Sequence, residues 1–146
     1  MGLLLGTGKE MNAKSKRSRG RSFEFWVRDY LQEQGWAVHI CGRKAVMIGP
    51  GKLITKGDDI FGADCLAIRP NRKTLFVQCS LHGSKRNRAE KFTQYSWDFG
   101  HQQIQLWLKK ANGNVVIHEF NGVEFFEIGK IIRRKFYSLS TSHVAL

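Results

Sequence analysis

Two side chains in the middle of this chain have the chemistry to start a metal site: Asp64 and Gln78. Asp64 heads the apolar run Cys65-Leu66-Ala67-Ile68, and Gln78 lies inside a second run, Thr74-Leu75-Phe76-Val77-Gln78-Cys79. Between the two runs, Arg69-Pro70-Asn71-Arg72-Lys73 carries the Pro and Asn of a chain reversal. Short runs rich in β-branched and aromatic residues on either side of such a turn predict an antiparallel hairpin. Across it the carboxylate and the amide oxygen can lie close together, and two such oxygens begin a site for a hard cation.

The flanking elements must position that hairpin. Ser22 offers a helix N-cap. After it, Phe23, Trp26, Val27, Tyr30 and Leu31 recur at helical spacing and give one apolar face. Gly35 suits the helix end, and Trp36 to Ile40 reads as the first strand. Glu24 sits at the margin of the apolar stripe near the helix start, where an acid also suits the helix dipole. Ahead of the helix, Lys14 to Arg21 form a basic, Ser-rich arm, expected to be mobile without a ligand and to contact phosphates through Arg17, Arg19 and Arg21.

Ala45 to Ile48 and Lys52 to Ile54 form a weaker strand pair about Gly49-Pro50-Gly51. Asp58 reads as a turn residue, and Asp59 as an outside candidate for the metal. After the hairpin, His82 lies in a loop by the site. Ser84 caps a second helix that places Arg88 and Lys91 on one face. A third helix is expected from His101 to Lys110, from the spacing of Ile104, Trp107 and Leu108. Val115 to His118 follows as a strand, and a helix between strands implies a crossover and a mixed sheet. Phe125 to Ile128 and a short basic helix from Ile131 to Phe136 complete the chain, and the four Trp residues are assigned to the core.

Composition narrows the partners. The chain has 146 residues and a formal net charge of +12, which suits one domain with a polyanionic partner. No long apolar or amphipathic basic helix points to a membrane. The 3 cysteines lie in or beside predicted strands without a Cys-x-x-Cys pair, so they read as buried thiols of a reducing, cytoplasmic setting. The first residues are too short for a signal peptide, and Met11 is a candidate alternative start.

An Asp before an apolar strand, a turn, and then a strand with Glu or Gln, one apolar residue and Lys resembles the signature of the PD-(D/E)XK nucleases. Asp64 and Gln78 match, while Ser80 stands where that family has Lys. The run Arg19-Gly20-Arg21-Ser22-Phe23-Glu24, a helix and then Gly35-Trp36 also resembles the opening of archaeal and phage-type Holliday junction resolvases. The resemblance implies an α/β fold with a restriction-endonuclease-like core, a small mixed β-sheet flanked by helices. It implies hydrolysis of DNA phosphodiester bonds with Mg2+, for which Mn2+ could substitute. The metal would be held by Glu24, Asp64, Gln78 and the backbone carbonyl of Cys79, with Gln78 either a ligand or orienting the water. The missing Lys would come from the following helix, as Lys91 or Lys85, with Lys91 preferred, while Lys85, Arg86 and Arg88 would grip backbone phosphates. A branched or four-way-junction DNA substrate and a homodimer are implied in the same way, within a prokaryotic or phage-infected cell.

The expected organisation is a basic arm over residues 1–21, a nuclease domain over 22–137 and a tail over 138–146. The rival readings are a nuclease-like fold that binds DNA but has lost the reaction, marked by Gln78 and Ser80, and an RNA-binding protein of ribosomal type.

Overall fold

The computed structural model describes residues 8–57, 59–81 and 85–139, with side chains over 20–42, 47–53, 59–81 and 88–139. A seven-stranded mixed sheet organises them. In chain order the elements are α1 (Gly8–Glu33), β1 (Ala37–Ile40), β2 (Arg43–Gly49), β3 (Lys52–Gly57), β4 (Cys65–Ile68), β5 (Thr74–Ser80), α2 (Lys85–Thr93), β6 (Gln102–Lys109), β7 (Val115–Phe120), β8 (Phe125–Ile132) and β9 (Lys135–Ser138). The sheet runs β1-β4-β5-β6-β7-β8-β9, and β2 and β3 form a separate antiparallel pair.

The predicted hairpin is present: β4 and β5 pair antiparallel with Cys65 opposite Val77 and Ala67 opposite Leu75. The β5–β6 pair is parallel, because the chain leaves the end of β5, forms α2 and returns to the start of β6. Every other neighbouring pair in the sheet is antiparallel.

Alternation along the strands sorts the core into two layers. On one face, Phe23, Val27, Tyr30 and Leu31 of α1 pack on Cys65, Ala67, Leu75, Val77 and Trp107. On the other, Ala89 and Phe92 of α2 pack on Phe76, Ile104, Leu106, Phe120 and Phe125. Each large apolar side chain buried in this way contributes about 1.5–3 kcal/mol. Trp107 is buried, and the other Trp side chains pack on the two layers as partly buried residues. All three cysteines are free. Among the described residues no helix is long and apolar enough to cross a membrane.

Three expectations are corrected. The first helix does not open at Ser22: its backbone begins at Gly8, so the basic segment continues the helix as far as it is described. The segment has no Pro, and its Lys and Arg residues are good helix formers that offset the Ser and Gly between them. The helix expected over His101 to Lys110 is the strand β6. Ile104, Leu106 and Leu108 face α2 while Trp107 faces α1, and a strand buried on both faces shows the unbroken apolar run that also fits helical spacing. The short basic helix near Ile131 is the β8–β9 hairpin, whose turn residues Arg133 and Arg134 have φ values of 50° and 63°. Two successive left-handed residues close a tight two-residue turn.

Candidate functional site

Asp64 lies just before β4, where hydrogen bonds from both neighbouring strands hold it. Its N–H donates to the Val77 carbonyl at 2.9 Å, and its own carbonyl accepts from Cys41 N–H at 2.9 Å. Its Oδ2 accepts from the N–H of Cys79 at 2.8 Å. Asp64 is therefore bonded to both neighbours of Gln78. Along β5, Leu75 and Val77 face α1 and Phe76 faces α2, so alternation puts Gln78 and Ser80 on the α2 side. Gln78 is 3% exposed, and its Oε1 accepts no hydrogen bond among the described residues. A buried amide oxygen without a partner is costly and uncommon.

Two cations reach this end of the sheet from α2. Arg88 donates from Nη2 to the Ser80 hydroxyl at 2.9 Å. The Lys91 ammonium lies 3.4 Å from Asp59 Oδ2. Asp59 is fixed in turn by Gly62, whose N–H donates to its Oδ1 at 3.2 Å. Gly62 has φ 92°, and a Cβ there would come within 3.2 Å of the Phe92 ring and 3.3 Å of the Lys91 stem. The loop can clasp Lys91 only with a residue that lacks a side chain. Phe61 beside it holds φ 50°, with its ring 56% exposed and edge-on to Tyr95 and Trp97.

Burial pushes the Asp64 carboxyl above the ordinary aspartate value, against the pull of the Cys79 N–H and of the Lys91 and Arg88 charges. The Cys79 thiol is raised well above its ordinary value by the hydrogen bond with Cys65, by burial and by the charges of Asp64 and Glu24. Burial raises the Cys41 thiol to about 11. Both shifts favour the protonated thiol in the metal-free protein.

Glu24 approaches from the α1 side. Arg21 Nη1 donates to Glu24 Oε1 at 2.9 Å and to the Cys41 carbonyl at 3.3 Å, and the Cys41 N–H donates to the Asp64 carbonyl. This relay runs from Glu24 through Arg21 and the Cys41 backbone to the main chain of Asp64.

The structure thus groups Asp64, Gln78 and Cys79 at the end of the hairpin, with Lys91 paired to Asp59 and Arg88 bonded to Ser80 nearby. The side chains of Arg17, Arg19, Lys85 and Arg86 lie outside the described residues, as do Asp58 and His82. Arg21 and Arg88, both expected on phosphates, donate hydrogen bonds to Glu24 and to Ser80. Among the described residues no group of three or more His, Cys, Asp and Glu side chains is arranged for a metal ion. Sequence reasoning gave Asp59 only an outside place, yet Asp-x-x-Gly is the pattern of a side-chain-capped turn and points to Asp59 and Gly62 together. Comparison with family models, curated proteins and solved structures finds no match for this chain.

Proposed function

We propose that this chain is a divalent-metal-dependent DNA endonuclease of PD-(D/E)XK type, acting on branched DNA such as a four-way junction. The observation that carries this reading is the presence, on one hairpin, of a half-buried carboxylate and a buried amide oxygen that accepts no hydrogen bond among the described residues. Burial disfavours charge on Asp64, and Gln78 Oε1 has no donor among the described residues; a cation between them would answer both. Asp64, Gln78 and the Cys79 carbonyl would hold Mg2+ or Mn2+, which needs few protein ligands. Glu24 would join them by exchanging Arg21 for the ion. When bound, the metal supplies positive charge to the phosphoryl oxygens and lowers the pKa of an attacking water.

The protein's own residues do the rest. Lys91 turns from Asp59 to the phosphate, an exchange that costs little because a half-exposed ion pair contributes under about 1 kcal/mol. Arg88, held by Ser80, places a fixed guanidinium at the position where the family motif has Lys, and arginine matches phosphate geometry in two hydrogen bonds. Phe61 offers an exposed ring beside this loop on which an unpaired base can stack. The order α1-β1-β4-β5-α2-β6 supports a restriction-endonuclease-like core, because it centres the hairpin between two helical layers. A homodimer would let two such sites cut opposing strands of a junction in the cytoplasm of a prokaryotic or phage-infected cell.

The second reading, a DNA-binding protein without catalysis, is favoured by Ser80 and by the pairing of Glu24 with Arg21. Cleavage of end-labelled four-way junctions and linear duplex, with Mg2+, Mn2+ or EDTA, decides between them. The nuclease reading predicts cleavage with either metal, none in EDTA, and none by Asp64→Asn, which still binds DNA. Binding without cleavage under every metal condition leaves only the second reading.

A further inference from the structure

A cavity lies on the α1 face of the sheet, towards the β4–β5 turn, whereas Gln78 and Ser80 of the hairpin site are on the α2 face. It measures about 600 Å³ and opens where the starts of β5 and β6 extend past the end of α1. That size lies within the range of small-molecule sites. Tyr30, Trp36 and Trp107 contribute aromatic surface to its wall, and Arg69, Arg72 and Lys73 of the hairpin turn bring cations to it. Gly35, with φ 96°, allows the Arg69 guanidinium to lie against the α1 terminus, where a Cβ would be 3.3 Å from Arg69 Nε. The negative end of the helix dipole favours a cation there.

The floor is an ordered polar network. Gln105 is 3% exposed, accepts from Trp107 Nε1 at 2.8 Å and donates to Glu119 Oε1 at 3.3 Å. Gln103 donates to that same oxygen. Both amides therefore converge on Oε1 and neither on Oε2, which leaves a carboxylate oxygen oriented by its neighbours at the cavity floor.

We propose that this cavity binds a nucleotide unit, with the base on the Trp36 side, a base N–H donated to Glu119 and the phosphate at Arg69, Arg72 and Lys73. Each part has its matching chemistry: aromatic surface for a flat ring, a carboxylate for an exocyclic amine or ring N–H, and guanidinium groups for phosphate oxygens. A free mononucleotide and an unpaired, 5′-phosphorylated nucleotide of a DNA strand share that chemistry. The site is distinct from the metal site, because its cations come from the β4–β5 turn and its floor lies on the α1 face of the sheet, whereas Gln78 is on the α2 face.

Calorimetry and tryptophan fluorescence in EDTA test this with the four deoxynucleoside monophosphates, their nucleosides, inorganic phosphate and a 5′-phosphorylated single-stranded oligonucleotide. At least one mononucleotide or the oligonucleotide is expected to bind roughly tenfold or more tightly than nucleoside or phosphate alone. Tighter binding by the mononucleotide identifies a free nucleotide as the ligand, and tighter binding by the oligonucleotide identifies a strand end. Arg72→Ala and Glu119→Gln should each weaken binding about tenfold, while Asp64→Asn leaves it unchanged. If Glu119→Gln loosens the fold by circular dichroism, Arg72→Ala, on an exposed turn, decides. No binding, equal binding of phosphate alone, indifference to Arg72→Ala, or loss in Asp64→Asn would overturn the proposal.

Discussion

At the scale of single residues, Asp64 carries the most specific consequence. Its carboxyl is raised above the ordinary value of 3.8, chiefly by burial, so the folded state holds that proton more tightly than the unfolded chain does. The stability gained from the protonated form is complete below the unfolded value and is lost as pH rises through the raised folded value. Without metal, Asp64→Asn should therefore not lower the melting temperature at neutral pH. It should also remove the part of the pH dependence that lies above 3.8. Mg2+ should raise the melting temperature of the wild type and leave Asp64→Asn unmoved, since only a ligand that binds the folded state stabilises it; thermal melts over a pH series check both statements. Lys91→Ala should slow single-turnover cleavage by about 10²-fold or more with little change in junction affinity, because an electrostatic contact made to the transition state appears in rate. Asp64 and Gln78 could be read from the sequence because polar residues at those points of apolar strands stand out. The partners of Lys91 and Arg88 could not, because they depend on where α2 lands against the sheet.

At the scale of elements, α2 is fixed by Phe92, which is fully buried among Trp97, Phe120 and Phe125 with ring centroids 5.6–6.2 Å away. Phe92→Ala should cost about 3–5 kcal/mol in urea unfolding. It should also reduce cleavage beyond the stability loss, because Lys91 is the adjacent residue. Local pattern located α1's apolar face, β1, the β4–β5 hairpin, α2 and β7. It failed at β6 because Ile104, Trp107 and Leu108 satisfy helical spacing while Ile104, Leu106 and Leu108 satisfy alternation, and only burial on both faces decides between them. It failed at the β8–β9 turn for a different reason. Arg133 and Arg134 are not typical of left-handed turns, and the Arg134 ion pair with Glu33 at 2.7 Å, together with its place over the Trp26 ring, forms only in the folded chain.

At the scale of the whole molecule, the charge of +12 makes association with a polyanion the dominant long-range interaction. The observed DNA association constant should fall linearly on a log–log plot against salt, with a slope near −0.9 for each duplex phosphate neutralised; fluorescence anisotropy across a salt series reads it. A slope near zero would mean that the basic surface does not meet DNA. Composition points towards a polyanionic partner, but not to the two ends of the hairpin, which are products of topology. Strand pairing places Asp64 and Gln78 at one end of the β4–β5 hairpin and the Arg69, Arg72 and Lys73 turn at the other, with the Gln103, Gln105 and Glu119 network on the α1 face between them. The whole functional reading rests on a divalent cation at the first of these ends, and Mn2+ titration followed by electron paramagnetic resonance tests that most directly. Tight, stoichiometric binding by the wild type that is lost in Asp64→Asn and weakened in Gln78→Ala is the predicted result. Equal binding by all three proteins, or none by any, would contradict it.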